Sequence, residues 1–276
     1  MIPNIIHFIF GLAPDFGGKP FSLVHYIAIK SAYEINKPDK IFFVCKFIPD
    51  TIWFDKIRPY IEIVEVEPPT EIFGNPLLHY AHKADVIRLQ RLLEFGGIYL
   101  DLDTICVKPL TPLLQNQFVM GVEELQNFSI FSKWRFNFYS FIRHPFKAKS
   151  FIRHGLCNAV MLAAPQTSFV QRWYESYNFF RSKGKDKFWN EHSVYIPAQF
   201  AQQYPNEITI VPPQYFFIPS YDERGLKDMF VNNTNFDESF VHHLWESKAW
   251  QYLSTLTIED IRQQNSTYAK LANKIL

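Results

Sequence analysis

Residues 83–110 read KADVIRLQRLLEFGGIYLDLDTICVKPL. From His79 to Phe95, apolar residues recur at helical spacing among strong helix formers, which predicts a helix. Gly96 and Gly97 end it by offering a left-handed cap. IYL then forms a buried strand with Asp101-Leu102-Asp103 at its C-terminal end, and TICVKPL continues extended. In open parallel α/β sheets, ligands bind outside the carboxyl ends of strands, so the acidic triplet lies where a site is expected.

Upstream, short β-rich runs alternate with helical ones, the pattern of a parallel sheet flanked by helices. IIHFIF reads as a buried strand, FSLVHYIAIKSAYEI as an amphipathic helix, KIFFVC as a second strand, TIWFDKIRPY as a short helix and IEIVEVE as a third strand. PPTEIFGNP is a Pro/Gly-rich loop. Downstream, GLCNAVMLAAP reads as a strand, SFVQRWYESYNFFRS as a helix, and WNEHSVYIPAQFAQQY as a helix interrupted at Pro197. SFVHHLWES is a strand, and two helical stretches run from Ile258 to Leu276. The expected fold class is α/β, one domain over 1–276 with no clear internal boundary.

The 276 residues, 47% hydrophobic, suffice for one substantial core. Formal charges nearly cancel at +1, so the overall field gives no reason to expect a nucleic-acid partner. Cys45, Cys106 and Cys157 are odd in number and sit among apolar residues, which suggests buried free thiols rather than a disulfide. No stretch approaches the roughly 20 apolar residues of a membrane span. The expected location is therefore cytoplasmic, with peripheral contact at the inner face of a membrane. Between Glu124 and Glu175 there is no acidic residue, while Lys and Arg interleave with aromatics from Phe128 to Arg153. This stretch, bounded at 126–154, reads as an insertion: an acceptor-binding lid, a surface for anionic lipid, or an ordinary helical insertion with a cationic face.

An Asp-x-Asp on a loop can place two carboxylates on one divalent cation, and oxygen ligands with open positions suit Mn²⁺ or Mg²⁺ bridging a diphosphate. Such a cation stabilises charge growing on a leaving diphosphate. A bare DxD also occurs as a solvated turn. Asp85 and Arg88 stand at i and i+3, on one helix face, either as a substrate-binding pair or as a structural ion pair. His79 and His82 lie one turn apart but lack a third spaced ligand for zinc.

The stretch from Lys83 to Leu110 resembles the DXD sugar-binding region of glycosyltransferase family 32 and its relatives, which include α1,4-galactosyltransferases, yeast mannosyltransferases and clostridial glucosylating toxins. The resemblance rests on Asp and Arg three apart on the helix, the [FY]GG cap, the IYLD strand and the second Asp. IPNIIHFIFG resembles the family's opening strand, and HLW at His243 its C-terminal His-x-Trp element. The basic aromatic stretch departs from the family pattern.

The resemblance implies a GT-A fold, a Rossmann-type mostly parallel sheet flanked by helices, and a retaining transfer of an α-linked sugar from a nucleotide-sugar donor. UDP-hexose is favoured over GDP-mannose, with a glycan or lipid-linked glycan as acceptor and a bacterial or viral surface polysaccharide, such as a capsule, as product. In the implied site Asp103 ligates the metal with Asp101 in support, Arg88 contacts sugar and diphosphate, and Asp85 and Asp101 bind the donor sugar. His243 completes the metal or diphosphate site, or is a hydrogen-bonded core residue. Asn158, Glu191 and His192 lie towards donor sugar and acceptor, or are buried structural residues. His7, Phe8, Ile9, Phe10 and Gly11 lie near the nucleotide base. Trp245 and Trp250 would order a closing loop, or pack in the core.

Two other readings compete. YLDLDT also resembles the nucleophile strand of haloacid-dehalogenase-like phosphatases, although Thr104-Ile105 replaces the usual Gly-Thr and no acidic pair follows on an apolar strand. A silent sugar- or nucleotide-binding module would keep the pocket without catalysis.

Overall fold

The computed structural model describes residues 1–124 and 154–276. The chain opens with β1 (Ile5–Ile9), α1 (Leu23–Asn36), β2 (Lys40–Cys45), α2 (Ile52–Ile57) and β3 (Glu62–Glu65), alternating as the sequence predicts. The Pro/Gly-rich loop holds a minimal hairpin, β4 (Glu71–Ile72) with β5 (Asn75–Pro76). Then come α3 (Tyr80–Phe95), β6 (Gly97–Leu100), β7 (Thr104–Cys106), β8 (Phe118–Glu123) and β9 (Gly155–Ala163). Residues 126–153 of the expected insertion lie outside the described residues.

The second half contributes α4 (Ser168–Glu175), α5 (Ile196–Gln203), β10 (Thr209–Val211), α6 (Pro213–Phe216) and α7 (Glu223–Phe230). The chain closes with β11 (Val241–His243), α8 (Glu246–Leu253), α9 (Ile258–Gln263) and α10 (Thr267–Asn273). A seven-stranded sheet runs in the order β10-β8-β9-β6-β1-β2-β3. Every neighbouring pair is parallel except the two made by β9. The α/β expectation therefore holds, with one reversed strand beside the DXD strand.

Strand alternation divides the apolar side chains between two faces. Ile98 and Leu100 of β6 join a core with Phe8, Ala28, Phe43 and Phe54, beneath α1 and α2. Tyr99 faces the other way, among Val86, Leu89, Leu92, Met161 and Trp173 of α3, β9 and α4. A third cluster docks α1 against the C-terminal helices through Leu23, Val24, Leu244, Ala249 and Leu253. Cys45, Cys106 and Cys157 are buried and free, and burial raises the thiol pKa of Cys106 to about 12.

Some expectations need correction. Gly96 ends α3 with φ 65° and ψ −158°, a glycine conformation outside the left-handed helical region. Pro197 does not break a helix, because it stands in the first turn of α5, where its missing N–H costs nothing, and Glu191–Tyr195 forms a π turn before it. SFVHHLWES pairs as a strand only over Val241–His243, since Trp245 turns to φ 55° and starts α8. The sequence reading also missed β8, β10, α6, α7 and α8.

His7, fully buried in β1, donates Nε2–H to the Gly96 carbonyl at 2.8 Å. It thereby holds the turn that carries the chain from α3 into β6. A Cβ on Gly97, at φ 103°, would lie 2.6 Å from the Ile5 carbonyl oxygen. Gly97→Ala should therefore cost about 3 kcal/mol from strain and overpacking, read as a shifted urea midpoint at unchanged slope.

Burial lowers the His7 pKa to about 4. The unfolded chain thus binds a proton that the folded chain refuses, and stability present above the ordinary histidine pKa is lost as pH falls towards 4. His7 should contribute about 2.5 kcal/mol to the loss seen in urea unfolding at pH 7.5 against pH 4.5, beside a comparable share from His242, whose pKa burial also lowers to about 4. His7→Gln, which keeps a donor for Gly96, should lose measurably less over the same range; an equal loss would assign the effect elsewhere.

Candidate donor-sugar and metal site

The site is assembled by matched lengths. Arg88 lies eight residues before Gly96, a helical rise of roughly 12 Å, and Asp101 lies four residues beyond Gly97, a strand length of roughly 13 Å. Because α3 leads back to the start of β6, Arg88 comes level with the end of the strand. Its Nη1 lies 3.2 Å from Asp101 Oδ1 and its Nη2 3.4 Å from Asp85 Oδ1. Nη1 also donates to the Asn158 carbonyl at 2.9 Å, and the guanidinium carbon sits 4.3 Å over the Tyr99 ring.

Asn158, fourth in β9, donates Nδ2–H to Asp85 Oδ1 at 2.7 Å. Tyr99 donates its hydroxyl to Asp101 Oδ1, also at 2.7 Å. The sequence reading missed Tyr99, although a signal was there: residues two apart on a strand share a face, so Tyr99 points with Asp101. Burial alone would lower the Arg88 pKa, but Asp101, Tyr99 and Asp85 raise it above the ordinary value, so Arg88 is a permanent buried cation.

Asp101-Leu102-Asp103 is a turn whose middle residue is anchored in the core. The Asp101 N–H donates to the Ala159 carbonyl, and Thr104 Oγ1 donates to the Asp101 carbonyl. On the far side, β11 pairs antiparallel with β7 and sets His243 opposite Thr104. His243 Nε2 then lies 3.2 Å from Asp103 Oδ1, and the Glu246 N–H donates to Asp103 Oδ2 at 2.7 Å. Trp245 covers the His243 ring at 4.0 Å between centroids.

Asp101, Asp103 and His243 each offer one ligand atom, all within 4.8 Å of one another. The carboxylates are 27% and 17% exposed and the imidazole 9%, so the carboxylates keep access to solvent while the imidazole is nearly buried. Two carboxylates and an imidazole form an acceptable donor set for Mn²⁺, whereas Mg²⁺, which takes oxygen ligands, would rely on the two carboxylates. Burial raises the Asp103 pKa less than His243 and the Glu246 N–H lower it, leaving it a firm anion. Asp101 shifts upward, because burial and the neighbouring Asp103 outweigh Arg88. Burial opposes the imidazolium of His243, yet Asp103 raises its pKa above the ordinary value.

The other predicted residues divide. His7 and Phe8 are fully buried, Ile9 and Phe10 partly so, and Phe10 stacks on Phe16 at 5.5 Å. Gly11, at φ 64°, accepts from the N–H groups of Lys46 and Phe47. Glu191 and His192, 1% and 2% exposed, do not join the cluster. Glu191 is ion-paired with Arg181, and the His192 carbonyl accepts from the Trp173 indole. His79 caps α3 while His82 packs on Trp189, away from any third ligand among the described residues.

The family described as "Glycosyltransferase sugar-binding region containing DXD motif" matches residues 28–119. Glucan organizing enzyme 1 of Cryptococcus neoformans var. grubii serotype A is 32% identical over 283 residues, covering all of this chain and 71% of that protein. The chain belongs to the DXD glycosyltransferases. Mouse xyloside xylosyltransferase 1 superposes with a TM-score of 0.51 at 12% identity, over 88% of this chain and 98% of that one. The bifunctional glycosyltransferase WbbM gives 0.51 at 11% identity, over 88% of this chain and 45% of that one. The fold is accordingly GT-A, and the phosphatase alternative falls: in this glycosyltransferase the DLD turn belongs to a sugar-binding region. No helix among the described residues is long and apolar enough to cross a membrane.

Removing the Arg88 charge would leave two carboxylates facing each other in a mostly buried setting. Arg88→Met should destabilise by about 3 kcal/mol, measured by urea unfolding. Arg88→Lys should recover only part of it, since a point charge cannot serve Asp85, Asp101 and the Asn158 carbonyl together.

Proposed function

We propose that this glycosyltransferase is metal-dependent and retaining, and moves a hexose from a nucleoside diphosphate sugar, UDP-linked in preference to GDP-linked, to a glycan or lipid-linked glycan. The observation that carries the reading is the convergence of Asp101, Asp103 and His243 at the end of the DXD strand. Asp103, Asp101 and His243 would hold Mn²⁺ or Mg²⁺, which when bound offsets negative charge on the departing diphosphate. The name of the fungal relative favours a glucose polymer as the acceptor or product class over the capsule suggested by resemblance alone.

Asp85 uses Oδ1 for both Asn158 and Arg88, which leaves Oδ2 to accept from a sugar hydroxyl. Asn158 fixes that carboxylate and Arg88 supplies fixed positive charge beside the sugar and diphosphate, so that no solvent reorganisation is needed as charge develops. Tyr99 holds one oxygen of the Asp101 carboxylate through its hydroxyl. In the transfer, the bond from C1 to the phosphate oxygen breaks and a bond from C1 to the acceptor oxygen forms on the same face. The acceptor's proton passes to the departing phosphate. The strand from His7 to Gly11 would border the base, Phe10 and Gly11 nearest and His7 and Phe8 as support. Glu191 and His192, being buried, would shape the acceptor side from behind.

We read 1–276 as one GT-A domain with 126–154 as its insertion. That basic aromatic stretch would meet acceptor or membrane at the inner, cytoplasmic face, supported by its composition.

Thermal shift with UDP, GDP and their sugar conjugates, with and without Mn²⁺, should give a Mn²⁺-dependent rise with a single nucleotide class. Asp103→Asn, which keeps an acceptor for the Glu246 N–H, should lose transfer by at least about 100-fold with little change in melting temperature. Full activity of that variant at saturating metal would refute the metal assignment.

A further inference from the structure

Glu246 faces two ways. Its backbone N–H donates to Asp103 Oδ2 at 2.7 Å, while its carboxylate reaches back to the first segment of the chain. There Oε2 meets Lys19 Nζ at 2.7 Å and Oε1 meets His25 Nε2 at 3.2 Å. His25 Nδ1 accepts from the Ser22 N–H at 3.0 Å, which leaves Nε2 to carry the ring hydrogen and donate it to Glu246. Lys19 also lies 4.6 Å over the Trp250 ring, one helical turn further along α8.

The bracket depends on an uncommon backbone. Trp245 takes φ 55°, a region bulky residues rarely enter, and this turn aims the first N–H of α8 at Asp103. One residue earlier, the Leu244 N–H donates to the Asp103 carbonyl at 2.7 Å. Lys19 sits at the end of the loop that follows β1. That loop contains Gly17 and Gly18 at positive φ, and nothing lies within 4 Å of where their Cβ atoms would be. Leu12, Ala13 and Phe21 bury the two ends of the loop and Phe16 stacks on Phe10, so Lys19 holds the open stretch after Gly17 and Gly18.

We propose that Glu246 is a positioning residue that ties this loop, on the nucleotide side, to the metal-side carboxylate of Asp103. The two halves of the donor site then share one support. Docking of α8 on α1 does not require the carboxylate, because Leu23, Val24, Leu244, Ala249 and Leu253 bury their side chains together. The inference rests on the metal reading above.

The test is direct ligand binding: Mn²⁺ by loss of the free-ion electron paramagnetic resonance signal, and UDP by calorimetry in saturating Mn²⁺. Glu246→Ala should weaken both by about tenfold, the usual effect of losing an outer partner of a metal ligand. Its melting temperature should stay within about 2 °C, because apolar side chains dock α8 on α1 and the mostly buried ion pair adds little to them. Glu246→Gln should fall between Ala and the wild type. Lys19→Ala should weaken both ligands, and Lys19→Ala with Glu246→Ala should be no worse than Glu246→Ala alone.

Wild-type dissociation constants in Glu246→Ala would overturn the proposal while leaving the metal reading intact. A wild-type protein that binds no Mn²⁺ would overturn the metal reading and this inference with it. Should Glu246→Ala melt early, unchanged constants in both Glu246→Gln and Lys19→Ala would overturn it equally.

Discussion

A guanidinium that is 7% exposed must be surrounded by acceptors, and much of the site follows from how Arg88 meets that requirement. Asp85 comes from the same helix, Asp101 from the end of β6 and the Asn158 carbonyl from β9. Three elements are thereby held in one register around a single cation. Tyr99 completes the arrangement by covering the guanidinium with its ring and donating its hydroxyl to Asp101. The carboxylates that would face donor sugar and metal are thus fixed before any ligand arrives. Such preorganisation is what stabilisation of a developing charge needs.

The reversed strand β9 has a particular part in this. Lying antiparallel between β6 and β8, it presents Asn158 to α3 and the Ala159 carbonyl to the Asp101 N–H. The other half of the site depends on β11, which pairs with β7 directly after the DXD turn and brings His243 to Asp103. The two halves carry opposite electrostatics. Arg88 supplies lasting positive charge on one side, while Asp103 remains ionised on the other beside a protonatable imidazole. A cation bound among Asp101, Asp103 and His243 would take the place of the imidazole proton, since a ligating histidine must be neutral.

Much of the fold was legible because the first half of the chain obeys its periodicities. Strands β1 to β3, the helices between them, α3 and β6 all fall where apolar spacing puts them. The elements that were missed are short or context-dependent. Thr209–Val211 is mostly exposed and becomes a strand only by pairing with β8. The α8 helix starts only because Trp245 adopts a left-handed turn, and local propensity argues against that in a residue of its size. Pro197 misled for a related reason: proline interrupts a helix from within but is accepted in a first turn.

The sequence by itself determined the α/β class and the DXD turn at a strand end, while the company of Asp85, Arg88, Asp101 and Asp103 came from the family resemblance and is consistent with the spacing. Helical and strand repeats have fixed rises, so the distances across the double glycine can be counted along the chain. Only the tertiary structure decided that His243 meets Asp103, that Glu246 bridges to Lys19 and His25, and that Glu191 and His192 are buried away from the cluster. Those relations join residues separated by long stretches of chain, through an antiparallel pairing, a left-handed turn and a buried ion pair. Spacing along the chain carries no record of them.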